Sequence, residues 1–332
     1  MTTVAVDVHA HLMPDAAFGR VPPGLSAVVD EDAVALHVQA RGKRGRGAPR
    51  MLRDLDTHRA QQVARGVDVS LTGPWVDMVK APLDAALQHR WCTVLNEELA
   101  RATAGGSHTR FLAALCDLDG GRAAECLESA VRAGAVGGML ATHTDGGGTL
   151  ARPGLDTLWG TAERLGVPIV LHPGEFEPPA RLREHFMVNL VGNPFETTLA
   201  VGSLLAAGVP DRYPELRLVL VHGGGFYPYQ FGRLDAGFAR WLGIGGGAGG
   251  RRPARDHLRW FHYDTVLFDD EPTRYLLDLV GDDRVMAGSD CPFRMNDHRP
   301  FEVPGVLGLD AAGRERVLGG TAQALFSLEV PS

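Results

Sequence analysis

The sequence predicts an α/β protein built as a (β/α)8 TIM-like barrel with a small insertion after its first strand. Three observations predict it. Eight short runs of apolar or β-branched residues alternate with longer amphipathic stretches, as parallel strands joined by helical crossovers require. The 332 residues suit one such barrel carrying insertions. Polar residues with useful chemistry end several of the runs, where a barrel of this kind gathers its active site. A doubly wound open sheet is the alternative, because a count of strands does not establish closure.

The elements follow in order. Strand one is expected over 4–9, and its run closes on Asp7-Val8-His9-Ala10-His11. The segment after it, about 19–50, is rich in glycine, proline and charge, and reads as a partly mobile insertion over the barrel mouth. A helix over 52–65 then leads to strand two at 67–72. Helices over 83–103 and 121–133 lead to strands three and four at 111–116 and 136–142. A helix over 155–165 leads to strand five at 167–172, and one over 194–207 to strand six at 216–222. Strand seven is expected at 261–266, a helix at 271–280, strand eight at 284–289 and a last helix at 311–318. The run 243–250 is nearly all glycine and reads as a flexible loop. Neither break resembles a linker between domains, so 1–332 reads as a single domain.

Composition narrows the function. Apolar residues make up 45% and charged residues 22%, the balance of an ordinary globular protein. A net charge of −7 argues against a nucleic-acid-binding surface. No apolar run approaches the ~18 residues of a membrane span, and no basic segment followed by an apolar one opens the chain; a cytoplasmic protein is expected. The four cysteines, Cys92, Cys116, Cys126 and Cys291, are scattered without metal or redox spacing and read as reduced thiols. Of 33 basic residues only Lys43 and Lys80 are lysines, which leaves little for Schiff-base or lysine-bridged chemistry.

Histidines carry the chemical signal. His9 and His11 stand at i and i+2 of a strand, on one face and about 6.6 Å apart along it, so that both imidazoles can converge on one cation. His172 ends Val167-Pro168-Ile169-Val170-Leu171, His222 ends Leu218-Val219-Leu220-Val221, and Asp290 ends Val285-Met286-Ala287-Gly288-Ser289. Any one of these is explained as a capping or hydrogen-bonded core residue. Four strand ends of one barrel, all carrying imidazole or carboxylate, are not.

This arrangement resembles the amidohydrolase superfamily and, more closely, the aminocarboxymuconate-semialdehyde decarboxylase family within it. The resemblance rests on Leu190-Val191-Gly192-Asn193-Pro194-Phe195-Glu196-Thr197-Thr198, on His222-Gly223-Gly224-Gly225-Phe226-Tyr227-Pro228 with Gly232-Arg233, and on Gly288-Ser289-Asp290-Cys291-Pro292-Phe293. It implies that His9, His11, His172 and Asp290 hold one divalent metal ion, zinc in the first place and manganese as the alternative. It further implies a water at an open position, with His222 and Asp290 as the catalytic pair and His222 as acid–base. Arg233 matches a family arginine that reaches the neighbouring subunit's site and grips a substrate carboxylate, which implies a homodimer. Strand four carries no lysine of the kind that bridges two metals in binuclear members, so a mononuclear site is expected, with His143 outside it. Arg50, in competition with Arg53, is the candidate for a second substrate carboxylate, and Phe293 for packing on a planar substrate. Asn189 and Gly174 stand where the family carries tryptophans, which points away from the eponymous semialdehyde as substrate.

The function expected is metal-dependent, non-oxidative decarboxylation of an unsaturated or aromatic carboxylic acid, using metal-bound water and His222. The alternative keeps the site and changes the reaction to hydrolysis or hydration of a lactone, C–C or C–N bond. The partner expected is a small carboxylate, with no nucleic acid and no membrane.

Overall fold

Every run expected as a barrel strand forms one. The computed structural model describes residues 4–30, 32–38, 43–80, 84–106, 108–144, 147–242, 252–302, 305 and 307–329. In chain order the strands are β1 (Val6–His11), β2 (Leu25–Asp30), β3 (Ala33–Val38), β4 (Lys43–Pro49), β5 (Val69–Gly73), β6 (Thr109–Ala114), β7 (Gly137–Ala141), β8 (His143–Thr144), β9 (Gly148–Thr149), β10 (Ile169–His172), β11 (Leu218–Leu220), β12 (Phe261–Asp264) and β13 (Val285–Met286). Eight of them pair in the order β1-β5-β6-β7-β10-β11-β12-β13, all parallel.

Backbone bonds across the seam close the sheet. Val8 N donates to Ala287 O at 3.0 Å, His11 N to Cys291 O at 2.8 Å and Asp290 N to His9 O at 2.7 Å. An open doubly wound sheet would leave these groups as an edge, so the barrel is the fold.

The crossover helices start where aspartates can cap them. Asp54, Asp84, Asp119 and Asp269 accept from Thr57 N, Leu87 N, Arg122 N and Glu271 N, each such cap stabilising its helix by about 1 kcal/mol. Asp54 also breaks the expected helix 52–65 into Arg50–Arg53 and Leu55–Ala64. In helix Gly120–Arg132, Ala123, Cys126, Leu127 and Ala130 recur at helical spacing and are buried. The apolar faces pack with Trp91, Trp159, Phe111 and Leu171 into a continuous core outside the barrel wall.

Three differences from the sequence expectation have physical reasons. The segment read as a partly mobile insertion holds a three-stranded antiparallel sheet, β2-β3-β4, with Leu25 facing Val38 and Ala35 facing Gly47. Glycines hide the alternation in β4, and one of them is required: a Cβ on Gly47 would meet Ala33 Cβ at 2.9 Å. Helix Tyr227–Gly237 was not expected, since its sequence is dominated by aromatics and opens on Pro228, which the first turn tolerates. Strands six and eight are shorter than 216–222 and 284–289: pairing with the neighbouring strand covers only Leu218–Leu220 and Val285–Met286, and His222 and Asp290 beyond them turn to positive φ. The glycine run 243–250 lies outside the described residues.

Candidate metal centre

The site is built where three strands end. His9 and His11 close β1, His172 closes β10, and Asp290 follows β13. Each histidine has its Nδ1 occupied. His9 Nδ1 meets Asp264 Oδ2 at 2.6 Å, His172 Nδ1 meets Pro173 O at 2.7 Å, and His11 Nδ1 meets Pro74 O at 3.4 Å. An acceptor at Nδ1 puts the proton there and leaves a lone pair on Nε2. Those lone pairs point at one another. His9 Nε2 and His11 Nε2 are 3.3 Å apart, and Asp290 Oδ1 lies 3.3 Å from the first and 3.1 Å from the second. His172 Nε2 is buried with no hydrogen-bond partner among the described residues.

Such a set suits a cation. One ligand atom from each of His9, His11, His172 and Asp290 lies within 4.8 Å of all the others. Bonds of about 2.0–2.1 Å from one central ion to imidazole nitrogen and carboxylate oxygen give ligand–ligand separations of about 3.3 Å. Three neutral imidazoles and a carboxylate are the donors for a zinc-like ion. Strand four, β7, supplies no lysine, and among the described residues this is one group of four donors, sized for a single ion.

Electrostatics agree. Burial, with His11 and His9 as neighbours, holds the His172 imidazole well below its ordinary range, and burial also lowers His11. For His9, burial pushes down, but Asp290 and Asp264 outweigh it and raise the ring to about 10. A cation bound at Nε2 would displace the proton on the Asp290 side and leave the Nδ1 proton donated to Asp264. Burial acts against the Asp290 carboxylate too, yet His9, His11 and His222 hold it well below the usual range.

His222 stands beside this group. It follows β11 at φ 54°, the left-handed region, and Asp290 sits at φ 62°; the turn away from the strand aims each side chain at the barrel axis. His222 Nε2 is 3.6 Å from Asp290 Oδ2, and its ring centroid is 5.2 Å from that of His9.

Two aspartates that sequence reasoning missed position these groups. Asp264, at the end of β12, accepts from His9 through Oδ2 and from Gly223 N through Oδ1 at 2.9 Å, tying a candidate ligand to the loop of His222. Asp7 accepts from Ser289 N at 3.0 Å and Ser289 Oγ at 2.6 Å, tying β1 to the residue before Asp290. Gly288 lets them fit: a Cβ there would meet Asp264 Cβ at 3.0 Å and His9 Cβ at 3.1 Å. The available signal was a carboxylate ending strand seven, Phe261-His262-Tyr263-Asp264.

A cavity of about 1220 Å³ opens over the centre. His172, His222 and Asp290 form its floor; Trp75, Phe176, Phe186, Phe226, Phe268 and Phe293 give aromatic walls, with Arg294 at the lining. Phe293 lies 5.0 Å from His11, ring to ring, and Asn189 also lines the cavity. Gly174 has no side chain for a reason: a Cβ there would meet Lys80 Cδ at 2.8 Å. Lys80, from the short helix Val76–Lys80, is buried, pairs with Asp117 at 3.8 Å and donates to His143 O at 3.5 Å. A tryptophan at 174 has no room, and the aromatic surface comes from Trp75 and Phe176 instead.

Other candidates lie apart. Arg50 is exposed and does not line the cavity, although Pro49 and Met51 do. Arg53 donates to Ala48 O and Asp32 O and pairs with Asp15. Arg233 is exposed on helix Tyr227–Gly237, away from this chain's own cavity. His143 lies outside the four-donor group, with Nδ1 3.0 Å from Glu196 Oε2 and Nε2 3.2 Å from Glu175 O.

Comparison with known proteins fits this geometry. A 2-amino-3-carboxymuconate-6-semialdehyde decarboxylase from Dictyostelium discoideum is 30% identical over 184 residues, 55% of this chain and 51% of that protein's length. The chain thus spans about half of that relative. A gamma-resorcylate decarboxylase from Rhodococcus jostii is 29% identical over 304 residues, 84% of this chain and 87% of the relative. The fold matches the solved structure of a dihydroxybenzoic acid decarboxylase from a Polaromonas species, which holds manganese and 2-nitroresorcinol, with a TM-score of 0.79 at 22% identity over 98% of both chains. The family model described as amidohydrolase matches residues 6–328. The chain belongs to that amidohydrolase family, and the relatives it resembles include an aminocarboxymuconate-semialdehyde decarboxylase.

Proposed function

We propose that this chain, acting as one catalytic domain over 1–332, is a metal-dependent non-oxidative decarboxylase of an aromatic or unsaturated carboxylic acid. His9, His11, His172 and Asp290 hold one divalent ion, zinc or manganese, and His222 is the acid–base residue. One observation carries the reading: three imidazoles with occupied Nδ1 atoms aim Nε2 at Asp290 on the floor of an aromatic-walled cavity. Relatives named for decarboxylation favour that reaction over hydrolysis or hydration at the same centre.

When bound, the cation supplies a fixed positive charge for the substrate's oxygens. Phe293 and Trp75, ring centroids 5.9 Å apart, hold a flat substrate over the floor. His222 delivers a proton to the carbon that carries the carboxylate; the C–H bond forms, the C–C bond breaks and CO2 leaves. Asp290 Oδ2 stabilises the imidazolium form before transfer. Asn189 fixes orientation from the wall. Arg294, which lines the cavity, and Arg50, exposed between the lining residues Pro49 and Met51, are the carboxylate-binding candidates within the chain. Arg233 serves a second copy of the chain in a homodimer, a role supported by its exposure beside exposed Tyr229 and Trp241. No described helix is long and apolar enough to cross a membrane. A cytoplasmic setting is part of the proposal, supported by four free cysteines.

The test is a panel of hydroxybenzoates and unsaturated diacids given to zinc- and manganese-loaded protein in D2O. The expected result is CO2 and a product carrying deuterium at the vacated carbon. An acid or alcohol formed without CO2 would move the assignment to hydrolysis or hydration, and inertness of the whole panel would overturn it. For the dimer, mixing His222→Ala with Arg233→Ala protein is expected to restore part of the activity that each lacks.

A further inference from the structure

Outside the barrel wall the structure gathers residues the sequence leaves scattered. Cys116 lies just beyond β6, Cys126 on helix Gly120–Arg132, and Cys92 and His89 on helix Ala85–Thr103. Cys116 Sγ is 3.8 Å from Cys126 Sγ, and Cys126 Sγ is 3.6 Å from His89 Nδ1. Donor atoms of His89, Cys116 and Cys126 all lie within 4.8 Å of one another, and the Cys92 thiol interacts with both other thiols. Cys92, Cys116 and Cys126 are buried, whereas the His89 side chain is 24% exposed.

We propose that His89, Cys116 and Cys126 form a second, structural site for a thiophilic divalent cation of the zinc type. A tetrahedral zinc with bonds of about 2.3 Å to sulfur and about 2.0–2.1 Å to imidazole has sulfur–sulfur edges of about 3.8 Å and sulfur–nitrogen edges of about 3.5 Å. The two measured separations match those edges. His89 has the orientation such a ligand needs, because Nε2 faces Glu125 Oε2 at 3.7 Å while Nδ1 faces the thiols. Packing of three small apolar side chains would account for the burial of the thiols, but not for an imidazole nitrogen directed at one of them.

The bound ion would tie both helices to the end of β6. The next residue, Asp117, bonds Gln88 on the same helix and pairs with Lys80 behind Gly174. The site therefore braces the outer side of the cavity wall, and it is separate from the floor.

Spectroscopy separates this site from the proposed catalytic one, which has only nitrogen and oxygen donors. Cobalt titrated into the reduced, metal-free wild type is expected to give a thiolate-to-cobalt charge-transfer band in the near ultraviolet. The band is expected to persist in His172→Ala and to vanish in Cys126→Ser. Zinc is expected at about two ions per chain in the wild type and about one in Cys126→Ser and in His89→Ala, the variants keeping decarboxylase activity if that assignment is right. Should the cysteine variants fail to fold, the wild-type cobalt spectrum decides alone. A wild type that binds one zinc, or gives no charge-transfer band, overturns the proposal.

Discussion

The floor of the cavity and its wall are made differently. The ligand groups at the floor are held from behind: His9 by Asp264, His172 by Pro173 O, and the residue before Asp290 by Asp7. These partners come from strand ends and backbone, so the floor moves only if the barrel does. The wall is assembled from loops and from side chains belonging to distant helices, as where the Lys80 stem fills the space beside Gly174. Chemistry placed on the floor and specificity placed on the wall can then change independently.

That contrast can be broken experimentally, most strongly at the floor. His172→Ala or Asp290→Ala is expected to remove the ion held by the floor group, leaving any ion bound elsewhere, and to lower kcat/KM by at least ~10³-fold, read by metal analysis and initial rates. His222→Ala should leave the metal in place while kcat falls about 10²–10⁴-fold, which locates the loss in proton transfer. Asp264→Asn, one step behind the floor, is expected to weaken metal affinity or activity about 10–100-fold. At the wall, Gly174→Ala should shift KM and substrate preference by a few-fold with metal content unchanged, because Lys80 must give way. A large loss of metal in that variant would show floor and wall to be one unit.

Acidity offers a smaller distinction. Burial, with Arg284 nearby, lowers His262 on β12 from its ordinary 6.5 to about 4. The folded protein keeps this ring neutral while the unfolded chain takes up a proton, so stability is full above about pH 6.5 and declines as pH falls toward 4. The decline is at most about 1.4 kcal/mol per pH unit from this group. Denaturant midpoints at pH 7.5 and 5 should show it, and His262→Gln should flatten it.

Much of the floor was legible because barrel geometry converts a local pattern into a place. His9, His11, His172, His222 and Asp290 each end an apolar run, and parallel strands bring such ends together. Closure was not legible, because it rests on backbone bonds between residues 8–11 and 287–291. Asp264 escaped notice because its role depends on a side-chain distance to His9, across 255 positions of sequence. The sheet β2-β3-β4 was not legible because it exists only through the pairing of its strands, the last of which, β4, has its alternation broken by Gly45 and Gly47. The aromatic walls were not legible, since Trp75 and Phe176 line the cavity from positions that no sequence pattern marks. The cysteines looked scattered because three separate elements contribute them.

The closing seam has a consequence for biosynthesis. His9 and His11 leave the ribosome early, whereas Asp290 arrives with the last strand, and Asp290 N bonds His9 O across the junction. The nascent chain carries an imidazole pair for most of its synthesis without the carboxylate that completes the donor set. A cation held by all four residues would therefore report that the ring has joined, since the donor set is complete only when β1 and the end of β13 meet.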